Sequence, residues 1–147
     1  MSEKVLAYLA AHNVMTLSTS GPDGPWASAV FYASDAFTFY FVSSPKSRHA
    51  ANLARDARVA AAIHEDYKDW RAIQGIQLSG KAERLEGTAR DAGLEVYRRK
   101  FPFLALEARL LDALGKAHCY RLVAEELHWI DNAMGFGART QILQRSR

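Results

Sequence analysis

Apolar and polar residues alternate along several short runs of this chain, and each such run predicts a half-buried strand. "VMTLSTS" (Val14 to Ser20) is the first, followed by a "GPDGP" turn in which Gly and Pro supply the backbone angles. "WASAVFYA" (Trp26 to Ala33) and "FTFYFVS" (Phe37 to Ser43) come next, joined by a tight "SDA" link. In the last run Phe37, Phe39 and Phe41 share one face, while Thr38, Tyr40 and Val42 share the other. The phenylalanine stripe reads as core, and Tyr40 suits packing and a site equally. Three strands with short links predict an antiparallel meander.

Further along, "RVAAAIH" (Arg58 to His64) predicts a strand, "EDYKDWRA" a charged connection, and Ile73 to Gly87 a long strand bent or bulged at Gly75 and Gly80. "AHCYRLVA" and "ELHWIDN" predict two final strands, before the irregular "AMGFGART", where Gly135 and Gly137 permit a turn and Arg139 is a possible anchor for the C-terminus. Helical spacing marks the N-terminus, about Pro45 to Asp56, Thr88 to Lys100, and "FLALEARLLDALG" closed by Gly115. Thr88 and Asp91 have the spacing of a capping box. Strands in runs, with helices in the gaps, predict a mainly β fold: one antiparallel barrel domain over residues 1–147 with flanking helices.

Composition narrows the class without adding a function. The chain is 49% hydrophobic and 24% charged over 147 residues, ordinary for one soluble domain. No run approaches the ~20 apolar residues of a membrane span, and the N-terminal apolar stretch, carrying Glu3 and Lys4, predicts a small amphipathic helix and not a signal peptide. Cys119 is the only cysteine, which suits a cytoplasmic setting and a buried, inert thiol. A net charge of +3 permits an anionic ligand without demanding one. The last residues, from about 140 to 147, predict a frayed, solvated end. His12, His49, His64, His118 and His128 lack metal-ligand spacing, so no metal site is predicted. Nucleophile elbows, Gly-rich phosphate loops and paired carboxylates are also missing, so no catalytic side chain is assigned and any catalysis must come from a cofactor.

One segment carries an electrostatic conflict. "VSSPKSRHAANLARDARVA" starts a helix with Ser44 and Pro45, yet its first turn holds Lys46, Arg48 and His49 and no acid. A helix N-terminus is the positive end of the macrodipole, so cations there are mildly unfavourable, by about 0.3–1 kcal/mol. Side chains pointing into water would tolerate that. An anion docked at the first turn would remove it, because free backbone N–H groups, the dipole and the cations would all face it.

Three stretches resemble the pyridoxamine 5′-phosphate oxidase-like, FMN-binding split-barrel superfamily. "FYFVSSPKSRHAANLARDARVA" is similar to its strand–helix–strand phosphate site, "IQGIQLSGKAERLEG" to a later strand, and "WIDNAMGFGART" to the ending of a small single-domain subfamily. The resemblance runs from about Val14 to Arg139. It implies a split β-barrel, a homodimer, and FMN in a groove at the two-fold interface. It places the phosphate at Ser44, Lys46, Ser47 and Arg48, with His49 where the family commonly has lysine, so that one charge depends on pH. Ser28, Ala29, Val30 and Phe31 match the strand beside the isoalloxazine. Gln74, or Gly75 if the alignment slips by one, matches a flavin-contacting glutamine, and Gln77 is a second candidate; Trp129 reads first as a packing or interface residue, with contact to the partner's flavin as the option the resemblance adds.

The departures limit what transfers. The family enzyme's basic residues on the "WASAVFYA" strand are replaced here by Ala27 and Tyr32, and "GFGARTQILQRSR" lacks the proline that accompanies its substrate-binding arginine. FMN binding is therefore the expectation, with an oxidoreductase acting on an unknown small molecule; pyridoxine phosphate is not carried over. A non-catalytic flavin or haem module is the alternative. Nucleic-acid binding ranks last despite a pI of 9.1, since no run of five like charges and no RNP-type motif is present.

Overall fold

A computed structural model describes residues 1–146; Arg147, the end of the expected frayed tail, lies outside the described residues. Helix α1 (Ser2–Ala11) leads into β1 (Val14–Gly21) and β2 (Gly24–Phe31), a hairpin turned at Pro22 and Asp23 with Gly24 at φ 102°. Then come β3 (Ala33–Asp35), β4 (Thr38–Ser43), α2 (Arg48–Arg55), β5 (Arg58–His64) and the long β6 (Gln74–Leu85). Helices α3 (Gly87–Lys100) and α4 (Ala108–Lys116) precede β7 (His118–Asp131) and β8 (Arg139–Leu143).

The eight strands form one antiparallel sheet in the order β2-β1-β5-β6-β7-β4-β3, with β8 also on β7. This corrects the meander expectation: β4 pairs with β7 and β3, not with β2. Strands β2 and β3 sit at opposite edges of the sheet, yet only Tyr32 separates them along the chain. Consecutive Cα atoms are only ~3.8 Å apart, so the sheet must curl until its edges meet. Tyr32 secures that corner. Its N–H donates to the Asn13 carbonyl at 2.9 Å, its hydroxyl donates to the Leu9 carbonyl at 2.7 Å, and its ring meets Phe39 edge-on at 5.6 Å.

Inside the curl lies the main core, where Met15, Leu17, Phe39, Phe41, Leu122 and Trp129 are almost wholly buried. Phe37, expected on the same stripe, packs against it from the edge. A smaller core under α3 and α4 holds Leu85, Leu94, Tyr97, Phe101, Leu114 and Cys119; burial pushes the Cys119 thiol up, as an inert thiol requires.

Several boundaries differ from expectation because partners, not local pattern, set them. The two final strands are one, since β6 pairs along nearly all of β7. The frayed tail expected from about residue 140 is corrected up to Leu143, since Arg139–Leu143 pairs with β7 as β8. Ser47, not Ser44, caps α2, and Glu86 precedes α3 with no side-chain cap, so no capping box forms at Thr88. The expected helix around Gly115 is a 3₁₀ turn (Pro102–Ala105) followed by α4, which continues through Gly115 to Lys116.

The bulge in β6 falls at Ser79/Gly80, while Gly75 stays in register. A Cβ on Gly80 would lie 2.1 Å from the Val123 carbonyl oxygen of β7, a backbone atom that cannot step aside. Gly80→Ala is therefore expected to lower stability by at least about 1–3 kcal/mol, the usual range for overpacking, as measured by urea unfolding.

Candidate functional site

Helix α2 is pinned across one end of the barrel by its inner face. Asn52 is buried, its Nδ2 donates to Thr19 Oγ1 of β1 at 3.0 Å, and Gly21 leaves it room, because a Cβ there would fall 2.2 Å from Asn52 Oδ1. Leu53 and Ala50 join the main core. The N-terminus of α2 is thereby held at the barrel mouth, next to β2.

The turn before α2 is built by its serines. The Ser44 carbonyl accepts the Ser47 N–H at 3.1 Å and the Ser47 hydroxyl at 2.8 Å, and Ser44 Oγ accepts the Lys46 N–H at 3.2 Å. Ser47 Oγ accepts the Ala50 N–H at 3.2 Å, which completes the N-cap. A helix leaves its first N–H groups without intrahelical acceptors. Here those of Arg48 and His49 have no acceptor among the described residues. Residues 42–55 contain no acid, so the loop offers N–H and hydroxyl donors and positive charge with no carboxylate beside them.

The three cations behave differently. Lys46 is exposed. The Arg48 guanidinium lies over the Trp26 ring of β2, 4.1 Å from its centroid, a cation–π contact that ties the helix start to the edge strand. His49 turns inward: its Nε2 is 2.5 Å from Ser43 Oγ and 3.5 Å from Ser47 Oγ. Burial lowers the His49 pKa below the ordinary 6.5, because the charged imidazolium loses more hydration than the neutral ring. The loop therefore carries two permanent charges and one reserve charge.

Strand β2 extends the site. Ser28 is half-buried on the face that carries Trp26, and Val30 is buried; Ala29 and Phe31 point outward, with Phe31 5.4 Å from Phe101. As an edge strand, β2 leaves alternate backbone N–H and C=O groups unpaired. Ser44, Lys46, Ser47, Arg48 and His49 thus sit together with β2 beside them. Trp26 and Ser43 belong to the same cluster and are missed by sequence reasoning. Ser43 does leave a signal: it is the polar member of the inward register Phe39, Phe41, Ser43.

The remaining candidates lie elsewhere in a single chain. Gln74 begins β6 opposite Asp131, at the far end from Leu85, and its carbonyl accepts the Tyr8 hydroxyl at 3.1 Å. Gln77 is exposed on the outer sheet face, three strands from Ala29. Trp129 is 1% exposed, packed edge-on against Tyr8 at 5.1 Å, and serves as core, which fits its reading as a packing residue and not a flavin contact. No group of three His, Cys, Asp or Glu side chains among the described residues is placed to hold a metal ion.

The family model of pyridoxamine 5′-phosphate oxidase matches residues 1–127. The chain belongs to this family. Its relatives include the UPF0306 protein YhbP of Escherichia fergusonii, 32% identical over 141 residues, covering 95% of this chain and 90% of that one. Among solved structures, a heme binding protein from Mycobacterium smegmatis superposes with a TM-score of 0.77 at 25% identity, covering 97% of this chain. This chain spans only 57% of that longer protein. HutZ, the heme storage protein of Vibrio cholerae, superposes at 0.67 with 18% identity, covering 85% and 91% of the two chains, and supports the split-barrel fold alone.

The depressed His49 pKa has a measurable consequence. Stability linked to the neutral ring is complete above pH 6.5 and is lost as the pH falls through the lower folded-state value. In an NMR titration the His49 ring is expected to protonate below 6.5, and added inorganic phosphate is expected to move that midpoint upward, since a nearby anion favours the cation.

Proposed function

We propose that this protein binds FMN, with the phosphate at Lys46, Ser47, Arg48 and the open N–H groups of α2, and the isoalloxazine along Ser28 to Phe31. The observation that carries the reading is the acid-free α2 N-terminus held beside an edge strand: a dianionic phosphate would accept from the Arg48 and His49 N–H groups and the cationic side chains together. Bound flavin would supply two-electron redox chemistry; the chain's own residues would bind it, orient it and limit its exposure to water. The protein then acts as an oxidoreductase on a small molecule, in the cytoplasm.

A homodimer completes this reading. The outward residues of β2, β1, β5 and β6 form two cross-strand rows, Ala29–Thr16–Ala62–Gln77 and Ala27–Ser18–Ala60–Ser79. Neither row carries a charge, although 24% of the chain is charged. An uncharged, small-residue face suits close approach of a second copy's sheet, which would place Gln77 beside the groove. Ala62→Arg is expected to shift the sedimenting species from dimer to monomer; a monomeric unsubstituted protein would exclude the shared groove.

The haem binding described for the Mycobacterium smegmatis protein supports a second reading, haem in the same groove. A visible spectrum separates the two. Purified protein loaded with FMN is expected to show the two flavin bands near the blue and near-ultraviolet, and a strong Soret band after haem addition alone favours the second reading. Replacing Lys46 and Arg48 together by Ala is expected to raise the FMN Kd at least tenfold, because a hydrogen bond to a charged group contributes about 1.5–3 kcal/mol. Unchanged affinity, followed by equilibrium dialysis, would remove the phosphate assignment.

A further inference from the structure

The phosphate loop also lines an apolar cavity of about 400 Å³ to which β2 contributes no residue. Val42, Ser44 and Pro45 form that wall; Leu110, Ala113 and Leu114 of α4 form the opposite one. The volume falls in the roughly 300–1,000 Å³ range of small-molecule sites. Lys116 stands among the lining residues, paired only with Asp112 of its own helix at 3.1 Å, both side chains largely exposed. Such an exposed pair is weak and exchanges readily for a better anion.

The cavity offers a ligand little to hydrogen-bond. The carbonyls of Leu114, Gly115 and Ala117, which end α4, are already taken by the Arg90 guanidinium at 3.2, 3.4 and 3.2 Å. What is left is an aliphatic slot with hydroxyls and one lysine at its edge. That chemistry suits a flat heteroaromatic ring held by shape, with a phosphate at the rim.

We infer that the cavity between the phosphate loop and α4 is a subsite for the purine nucleotide half of a flavin dinucleotide. The inference rests on the flavin reading above and extends it. Ser44 and Pro45 are shared by the turn before α2 and the cavity, so a pyrophosphate would run from one to the other. Its first phosphate meets the α2 N–H groups and its second meets Lys116. The base enters between Leu110 and Leu114 on one side and Val42 and Pro45 on the other. With the α4 carbonyls occupied, the slot reads the base by shape, so adenine and guanine are accepted alike.

The test is a binding comparison on the full-length, flavin-free protein, followed by quenching of flavin fluorescence. FAD is expected to bind at least about tenfold tighter than FMN, since the second phosphate and the base each add contacts. Ala113→Trp, which fills the slot from an exposed helix position, is expected to bring FAD down to the FMN affinity and leave FMN unchanged. Lys116→Gln, a surface change that spares the fold, is expected to weaken FAD severalfold and spare FMN. FMN binding with no advantage for FAD, or a loss shared equally by both flavins in Ala113→Trp, overturns the dinucleotide subsite while the FMN reading stands. Binding of neither flavin overturns both.

Discussion

A single residue between two sheet edges governs this molecule. With β2 at one margin, β3 at the other and only Tyr32 between them, the sheet has no flat solution. Curling brings β2 toward the end of β4, and it is at that meeting place that α2 begins. The corner is secured by hydrogen bonds into α1 and the loop after it, and the Lys100 ammonium lies 4.1 Å from the Tyr32 ring centroid while donating to the Leu9 carbonyl at 3.4 Å. A hydroxyl and an ammonium thus finish the C-terminus of α1, whose last carbonyls have no partners within the helix. Closure and helix capping are satisfied by the same small group of atoms.

The site follows from that closure by electrostatics. A helix start rich in cations is unfavourable in isolation, yet here each cation has a defined role. Arg48 rests on Trp26, which moves charge off the helix axis and ties α2 to the edge strand. Burial lowers the His49 pKa below its ordinary value, so the repulsion at the helix start is limited near pH 7. Lys46 stays in water. The result is a cationic helix start with no competing carboxylate. Trp129 shows the other side of this arrangement: its buried indole N–H has no acceptor among the described residues, a cost the main core carries to fill its volume with a large ring.

Much of this was legible from local pattern. Periodicity located all the longer strands and most helices, and Lys46, Ser47, Arg48 and His49 were recognisable as a group because all four fall within one turn of chain. The resemblance to split-barrel proteins covered the right segments and is borne out by the family match and the fold. Misplaced features share one cause: they depend on residues distant in sequence. The tail from about residue 140 reads as loose, but β7 has an open edge beyond its pairing with β4, and β8 fills it.

The amino-acid sequence alone determined the mainly β character, the single buried thiol and the cationic, acid-free start of α2, because these rest on composition and on contacts within a few residues. The tertiary structure decided the strand order, the partnership of Arg48 with Trp26 and of His49 with Ser43, and the cavity between the turn before α2 and α4. Those features come from sheet closure and helix packing, which join segments far apart in the chain, as Lys4 and Asp131 are, 127 positions apart. Alternation along a strand reveals which face is buried, but nothing local says which strand lies alongside.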